Sequence, residues 1–211
     1  MHRTRVKFCG MTRVEDAMRA AALGVDAIGM VFTARSRRCL AIERARAIRE
    51  ALPPFVDTVA LFMDDDAGWI GAVIEAVRPH LLQFHGSESP QACAMHGIPY
   101  LKAFAMGEGR HGLERVDDYA QAAAWLLDGH AVGEAGGIGQ VFDWSLVPVA
   151  TKRPWVLAGG LHADNVGQAI AQARPWAVDV ASGIESSPGV KDPRAMRAFI
   201  DAVRAADAQF A

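Results

Sequence analysis

Short apolar runs alternate along this chain with longer segments whose apolar residues recur at helical spacing. Residues Trp69, Ile70, Val73, Ile74 and Val77 line one face of such a helix. Strands that alternate with helices at this density predict an α/β fold with a parallel sheet covered by helices. The predicted strands are residues 3–9, 27–32, 56–62, 81–85, 100–104, 125–128, 155–157 and 178–180.

Helix boundaries are marked by capping and breaking residues. Thr12 and Glu15 have the spacing of a capping box, and Gly24 is a typical C-terminal stop, so a helix is expected between them. A further helix is predicted after the glycine-broken loop at 107–112. The acids at 64–66 are assigned to the N-terminus of the third helix, where they need no metal. Other helix starts are predicted at Ser89, Asp143 and Asp192.

Right-handed connections between parallel strands leave two architectures, an open doubly wound sheet and a closed barrel. Eight similar units, apolar strands and the lack of a glycine-rich fingerprint after the first strand favour the barrel. We therefore predict a (β/α)8 TIM barrel in which residues 1–211 form a single domain. In such a barrel, residues at the C-terminal ends of all strands meet at one mouth.

The composition and net charge limit the classes of binding partner expected for this chain. The 211 residues carry a net charge of −2 and are 51% hydrophobic, without the basic excess that nucleic acid or an anionic membrane surface requires. No apolar stretch is long enough to span a bilayer, and the basic start lacks a signal-peptide core. A small metabolite is the expected partner. Three widely spaced cysteines predict reduced thiols in the cytoplasm, with no disulfide and no zinc.

Glycine-rich turns follow the last three strands. Gly159-Gly160 comes after the seventh strand, Ser182-Gly183 after the eighth and Gly136-Gly137 after the sixth. Glycine lets backbone N–H groups approach an anion, and barrels often hold phosphate after strands seven and eight. Each pair could equally be only a tight turn. Their coincidence on neighbouring strands favours a phosphate site.

A thiol ends the first strand. Cys9 alone would be read as a small buried hydrophobe, but Lys7 lies on the same strand face and could favour a thiolate able to abstract a proton. Lys7 inside a barrel needs a partner, and closure makes Asp179 on strand eight the natural one. We predict that ion pair. A structural role for it is as plausible as a catalytic one.

A carboxyl ends the sixth strand. Asp128 interrupts the apolar run Trp125-Leu126-Leu127, where an apolar surround would raise its pKa and make it a proton donor. Its alternative role is a cap, but Gly129 and a long loop follow rather than a helix. The functional interpretation is therefore favoured.

Other polar residues are candidates for contacts with a ligand. Arg38, in the arginine-rich loop after strand two, suits a second anionic group such as a carboxylate, although a solvated charge cluster is the ordinary alternative. Gln83 and His85 alternate with Leu82 and Phe84, so both either point inward at the mouth or are satisfied core groups.

At these residues the chain resembles the phosphoribosylanthranilate isomerase family of tryptophan biosynthesis over essentially its whole length. The resembling blocks are Lys7-Phe8-Cys9-Gly10-Met11-Thr12, residues 29–38, Gln83-Phe84-His85-Gly86, Leu126-Leu127-Asp128, Gly136-Gly137-Ile138-Gly139 through Phe142-Asp143-Trp144, Ala158-Gly159-Gly160-Leu161 with Asn165-Val166, and residues 179–192.

The resemblance implies an Amadori rearrangement of N-(5-phosphoribosyl)anthranilate with neither metal nor cofactor. It implies Cys9 as general base, Asp128 as general acid and Arg38 as the anchor of the anthranilate carboxylate. Asp179 corresponds to a residue at the substrate hydroxyls. The phosphate group would lie at Gly137, Gly139, Gly160 and Ser182-Gly183.

Two alternative functions stay open. The histidine-pathway sister isomerase acts on a substrate with two phosphates, but the acidic loop at 64–66 would repel a second phosphate. The other is a barrel that only binds a sugar phosphate, which has no need of an acid and base pair.

The glycine-rich loop at 129–142 is the candidate lid over the site. Either a monomer or a homodimer fits the sequence.

Overall fold

A computed structural model describes residues 3–107, 109–129, 142–147 and 153–210. Eight parallel strands form a closed barrel in the order β1 to β8, and β8 pairs with β1. The predicted TIM barrel is thus confirmed. The strands are β1 Arg5–Phe8, β2 Ala27–Val31, β3 Asp57–Phe62, β4 Leu81–Phe84, β5 Tyr100–Ala105, β6 Ala124–Asp128, β7 Trp155–Leu157 and β8 Ala177–Val180.

Helices cover the outside of the barrel, and a small antiparallel hairpin of two further strands, β9 and β10, follows β8. No helix within the described residues is long and apolar enough to cross a membrane. The α-helices are α1 Val14–Leu23, α2 Ile42–Ala51, α3 Ala67–Val77, α4 Pro90–Ala94, α5 Ala163–Ala173 and α6 Pro193–Ala208, and the hairpin strands are β9 Glu185–Ser187 and β10 Val190–Lys191.

Two apolar layers hold the barrel, because successive side chains of a strand point to opposite faces of the sheet. On β6, Trp125 and Leu127 belong to the layer between strands and helices, while Leu126 belongs to the layer that fills the barrel. Asp128 follows Leu126 at a spacing of two and so shares its inward direction. This alternation decides which strand-end residues reach the interior.

Several predicted helix ends are confirmed. Gly24 ends α1 in the left-handed conformation, with φ of 85°. The side chains of Asp66, Ser89 and Asp192 accept hydrogen bonds from backbone N–H groups at the starts of α3, α4 and α6. Asp143 opens a short 3-10 helix, Trp144–Leu146, in the same way. These short-range signals therefore located the helices correctly.

The capping box predicted at Thr12 and Glu15 is wrong. The residue at the start of α1 is Arg13, and it makes no side-chain cap. The Thr12 hydroxyl instead donates to the carbonyl oxygen of Gly189, in the turn between β9 and β10. Glu15 accepts a hydrogen bond from the Arg13 side chain. A tertiary contact has taken the group that the local pattern assigned to the cap.

The helix predicted after the loop at 107–112 is also absent from its described part. Two 3-10 helices, Gly109–Leu113 and Val116–Tyr119, stand there instead. Gly109, where the first 3-10 helix begins, has a left-handed φ of 77°. A side chain at Gly112 would overlap the carbonyl oxygen of Ala105, so the segment lies directly on the end of β5.

Candidate active site

A cavity opens at the C-terminal ends of the strands and contains about 680 Å³ of space, counting the part open to solvent. Cys9 from the end of β1 and Asp128 from the end of β6 line this same cavity. The remaining lining residues are Val31, Thr33, Ser36, Arg38, Leu61, Met63, Gln83, His85, Ala158, Gly159, Gly160, Leu161, Asp179, Val180, Ala181 and Ser182.

Lys7 and Asp179 form the ion pair that the sequence predicted. Barrel closure sets them opposite each other in the β1–β8 register. The Lys7 Nζ atom donates to both carboxylate oxygens of Asp179 at 3.0 Å, and the two side chains are only 6% and 8% exposed. Burial lowers the pKa of Lys7, but the charges of Asp179 and Cys9 and the hydrogen bonds to them together outweigh it, and the net shift is upward. Lys7 therefore stays charged behind the cavity wall.

Gly29 makes room for this cluster from the neighbouring strand β2. A Cβ atom at Gly29 would lie 2.7 Å from the Cys9 Sγ atom and 3.1 Å from the Lys7 Nζ atom. Both distances are shorter than ordinary contacts, so any larger residue would push the thiol and the ammonium aside. The absence of a side chain at Gly29 therefore helps to define the position of Cys9.

Lys7 favours the thiolate of Cys9, as the sequence indicated it could, but burial acts against it. Burial raises the pKa of the Cys9 thiol, and this exceeds the lowering that Lys7 causes, so the net shift is upward. The thiol form therefore prevails at neutral pH in the empty site. The ammonium of Lys7 still favours the thiolate over what burial alone would allow.

Gln83 and His85 both point into the mouth, the first of the two alternatives that the sequence left open. Gln83 is fully buried, and its Nε2 atom lies 3.2 Å from Nδ1 of His85. The Nε2 atom of His85 lies 3.6 Å from an oxygen of Asp128. A buried chain of polar groups thus leads from β4 across the cavity to the carboxyl of β6.

Arg38 lines the cavity, but it is not a solvated charge. Its Nε and Nη2 atoms donate to the two carboxylate oxygens of Glu185 at 2.8 and 2.7 Å. The aliphatic part of the Arg38 side chain packs against Gly10, which has a left-handed φ of 72° and no side chain to obstruct it. The arginine is thus oriented by the protein before any ligand arrives.

The glycine turns differ in what they contribute. Gly159 and Gly160, both at positive φ, line the cavity together with Ser182. The side chain of Asn165 holds the turn by donating to the carbonyl oxygen of Gly160 at 2.9 Å. Gly183 does not line the cavity and instead packs against the carbonyl oxygen of Leu161, where a Cβ atom would overlap. Gly137 and Gly139, like most of the candidate lid, lie outside the described residues.

Glu185 and Lys191 were not predicted as site residues, although both are buried beside the cavity. Lys191 donates from Nζ to the carbonyl oxygen of Cys9 at 2.6 Å and to Glu185 at 2.8 Å. Pro188-Gly189 between them is a typical turn sequence, so the hairpin itself could have been predicted. The contact of Glu185 with Arg38 joins residues that are 147 positions apart in the sequence and leaves no local signal.

No group of three His, Cys, Asp or Glu side chains within the described ranges has an arrangement that could hold a metal ion. The acids at 64–66 have other partners. Asp66 caps α3, Asp65 accepts from the N–H of Met63, and Asp64 accepts from the N–H of Ser87. Asp66 thus lies at the helix start that the sequence assigned to all three acids, while Asp64 and Asp65 instead hold the backbone of the loops after β4 and β3.

Comparison with known proteins identifies the family. Residues 6–202 match the family model described as N-(5'-phosphoribosyl)anthranilate (PRA) isomerase. A curated N-(5'-phosphoribosyl)anthranilate isomerase of Pseudomonas paraeruginosa is 53% identical over 204 residues, which are 97% of each chain.

Two solved structures share the architecture. Phosphoribosyl anthranilate isomerase from Thermotoga maritima is 39% identical with a TM-score of 0.88, covering 96% of this chain and 99% of its own. A second isomerase structure, in complex with reduced 1-(o-carboxyphenylamino)-1-deoxyribulose 5-phosphate, is 36% identical with a TM-score of 0.85 and the same coverage. The chain therefore belongs to the phosphoribosylanthranilate isomerase family.

Proposed function

We propose that this barrel, with residues 1–211 as one domain, converts N-(5-phosphoribosyl)anthranilate into 1-(2-carboxyphenylamino)-1-deoxyribulose 5-phosphate, a step of tryptophan biosynthesis. The observation that carries the proposal is that Cys9 and Asp128, from distant parts of a chain of this family, line one cavity. The reaction needs one group to deliver a proton and another to remove one. The thiol and the carboxyl are suited to those two tasks.

Asp128 is the general acid in the first step. Its proton passes to the furanose ring oxygen as the bond between that oxygen and sugar C1 breaks. The lone pair of the anilinic nitrogen forms a C=N bond to C1, and the result is an iminium ion. Asp128 is 6% exposed at the apolar end of β6, and the nearby His85 from β4 helps to fix its direction.

Cys9 is the general base in the second step. Its thiolate takes the proton from sugar C2, and the C–H electrons form the C1=C2 bond while the nitrogen regains its lone pair. The enolamine then loses its C2 hydroxyl proton and gains one at C1, which gives the ketone. Lys7 supports Cys9 because its charge stabilises the thiolate while it forms.

The other predicted site residues bind the substrate or hold a group that does. Arg38 binds the anthranilate carboxylate, and Asp179 contacts the sugar hydroxyls. Lys7 does not line the cavity and supports this binding by holding Asp179. Gln83 and His85 orient the reacting carbon atoms from the wall of the cavity. The phosphate lies against the glycine turns after strands six to eight, at Gly137, Gly139, Gly159, Gly160 and Ser182, and Gly183 supports the last of these turns from behind by packing on Leu161.

The anilinic nitrogen supplies the electron push, so the proposed reaction uses neither metal nor cofactor, only position and proton transfer. Three free cysteines support a reducing compartment, for which we propose the cytoplasm. Either a monomer or a homodimer is compatible with a site whose proposed acid and base come from one chain.

An assay with freshly prepared N-(5-phosphoribosyl)anthranilate tests the proposal. The fluorescence of the substrate should decrease at a rate that is proportional to the enzyme concentration. Mass spectrometry should show a product with the same mass as the substrate. A melting temperature that rises with the reduced product analogue, but without conversion of the substrate, would instead indicate a barrel that only binds sugar phosphates.

The same assay with the bisphosphorylated substrate of the histidine pathway serves as the specificity control. We expect no measurable turnover, because the acidic loop at 64–66, which follows the cavity residue Met63, would repel a second phosphate. Comparable turnover of both substrates would contradict the assignment to tryptophan biosynthesis alone.

A further inference from the structure

The hairpin after β8 carries two charged residues that the proposed reaction leaves without a role. Glu185 begins β9 and Lys191 ends β10, and the two are partners in the antiparallel register. Their side chains are only 5% and 0% exposed. Two buried charges are costly to maintain unless their contacts serve a purpose.

Glu185 is fully engaged by hydrogen-bond donors. Its Oε1 atom accepts from Arg38 Nε at 2.8 Å, from Lys191 Nζ at 2.8 Å and from the N–H of Gly189 at 3.2 Å. Its Oε2 atom accepts from Arg38 Nη2 at 2.7 Å. Burial raises the pKa of Glu185, but Arg38 and Lys191 outweigh it and the net shift is downward. The carboxylate therefore stays ionised.

This pairing uses only one edge of the Arg38 guanidinium. Glu185 occupies the Nε and Nη2 edge, and within the described part of the chain no hydrogen bond uses Nη1. A guanidinium can bind a second carboxylate through its other edge, with two parallel hydrogen bonds. Because Arg38 lines the cavity, that second edge is available to a ligand there.

The charges of Arg38, Glu185 and Lys191, which form one cluster, also favour an anionic ligand. Arg38 and Lys191 are two cations, and Glu185 is the one carboxylate that they share. Neighbouring Lys7 and Asp179 balance each other. Asp16 is a further buried carboxylate nearby, which accepts from the backbone N–H of Lys191 at 3.1 Å. Of the two cations, Arg38 is the one that lines the cavity, where a ligand carboxylate can meet it.

Lys191 connects this cluster to the strand that carries the thiol. Besides Glu185, its Nζ atom donates to the carbonyl oxygens of Cys9 at 2.6 Å and Ala181 at 3.1 Å. The ends of β1 and β8 are thus tied to the same lysine that holds Glu185. A displacement of Lys191 would disturb both the Arg38 site and the backbone of Cys9.

We propose that Glu185, held by Lys191, is a positioning residue that fixes Arg38 with its second edge toward the cavity and so sets the preference for a substrate bearing a ring carboxylate. The proposal rests on the function proposed above. Glu185 itself does not contact the substrate and acts through Arg38.

Binding of two non-reacting ligands tests this directly. One is reduced 1-(o-carboxyphenylamino)-1-deoxyribulose 5-phosphate, and the other is the same compound without the ring carboxyl. Calorimetry should show the wild type preferring the carboxylated ligand by at least about tenfold, as expected for a bidentate charged contact. Glu185→Gln should lose most of that preference and keep its affinity for the other ligand within about threefold.

Two further variants control for folding. Glu88→Gln breaks the Glu88–Lys102 pair, an equally buried ion pair on the other side of the mouth, and should leave the preference unchanged. Glu185→Asp keeps the charge beside Lys191 but withdraws from the guanidinium, so it should fold like the wild type and lose part of the preference.

Full preference in folded Glu185→Gln would overturn the proposal. Equal wild-type affinity for the two ligands would also overturn it, while conversion of substrate in the fluorescence assay would leave the proposed function standing. A wild type that binds neither ligand and converts no substrate would end both.

Discussion

At the scale of single residues, the reactivity of Cys9 depends on two opposing effects. Burial favours the neutral thiol, and the ammonium of Lys7 favours the thiolate. Asp179 holds Lys7 in place but itself disfavours a second negative charge at Cys9. The thiol is therefore a base whose strength is preserved by burial and whose ionisation is assisted mainly by Lys7 and also by Lys191.

The contribution of Lys7 can be measured through the pH dependence of alkylation at Cys9. Lys7 lowers the pKa of the Cys9 thiol, and this effect is larger than the rise that Asp179 causes. The loss of the lysine charge in Lys7→Met should therefore move the midpoint of the alkylation profile to higher pH. The wild-type midpoint should itself lie above 9.0, the ordinary value, because its net shift is upward. Iodoacetamide labelling followed by peptide-resolved mass spectrometry separates Cys9 from Cys39 and Cys93.

Lys102→Met is the matched control for this experiment. Lys102 is another buried lysine of the barrel with a carboxylate partner, but it lies on β5 beside Glu88 and not beside Cys9. Its removal should leave the Cys9 midpoint where it is. An unchanged or lower midpoint in folded Lys7→Met would disprove the assistance by Lys7.

At the scale of elements, four of the strands deliver a functional residue through an inward position near the C-terminal end. Lys7, Gln83, Asp128 and Asp179 all occupy such positions, and Gly29 on β2 leaves the space that the β1 residues need. Since β2 contributes by lacking a side chain, its role can be tested by adding one.

Gly29→Ala should lower kcat by about tenfold or more, because the added methyl group displaces the Cys9 thiol and the Lys7 ammonium. The same crowding should cost about 1–3 kcal/mol of folding stability. Turnover measurements and thermal unfolding check the two effects.

Gly71→Ala is the control, since a Cβ atom at this position in α3 meets nothing within 4 Å. That variant should be as stable as the wild type or more so, with unchanged kcat, and equal kcat in Gly29→Ala would contradict the role of Gly29.

Local signals explain why most elements could be predicted. Apolar runs set the strands, and Asp66, Ser89 and Asp192 cap the helices whose starts they mark. The prediction failed at Thr12, whose hydroxyl is used by a turn 177 positions away in the sequence. Such a competition between a local cap and a distant acceptor is invisible before the chain is folded.

The candidate site was predictable to a similar degree. Strand-end position and the need to pair a buried lysine were enough to bring Lys7 and Asp179 together before the structure was seen. The Arg38–Glu185 contact was missed because it joins the loop after β2 to the hairpin after β8, with no spacing rule to connect them. The net pKa of Cys9 was likewise beyond the sequence, since it depends on the depth of burial.

At the scale of the whole molecule, closure of the barrel is what creates the site. The β1–β8 pairing brings residue 7 to residue 179, and the cavity gathers side chains from strands or following loops around the ring. Two proton-transfer groups that are far apart in sequence thereby face one bound molecule. The central claim is that Cys9 removes a proton and Asp128 delivers one.

The most direct test measures kcat for Cys9→Ala and Asp128→Asn together with the affinity of each variant for the reduced product analogue. The account predicts that each substitution lowers kcat by at least about 10²-fold, since each removes one positioned acid or base. Affinity for the analogue should stay within a few-fold of the wild type, because Arg38 and the glycine turns remain. Near-normal kcat in either folded variant would contradict the account.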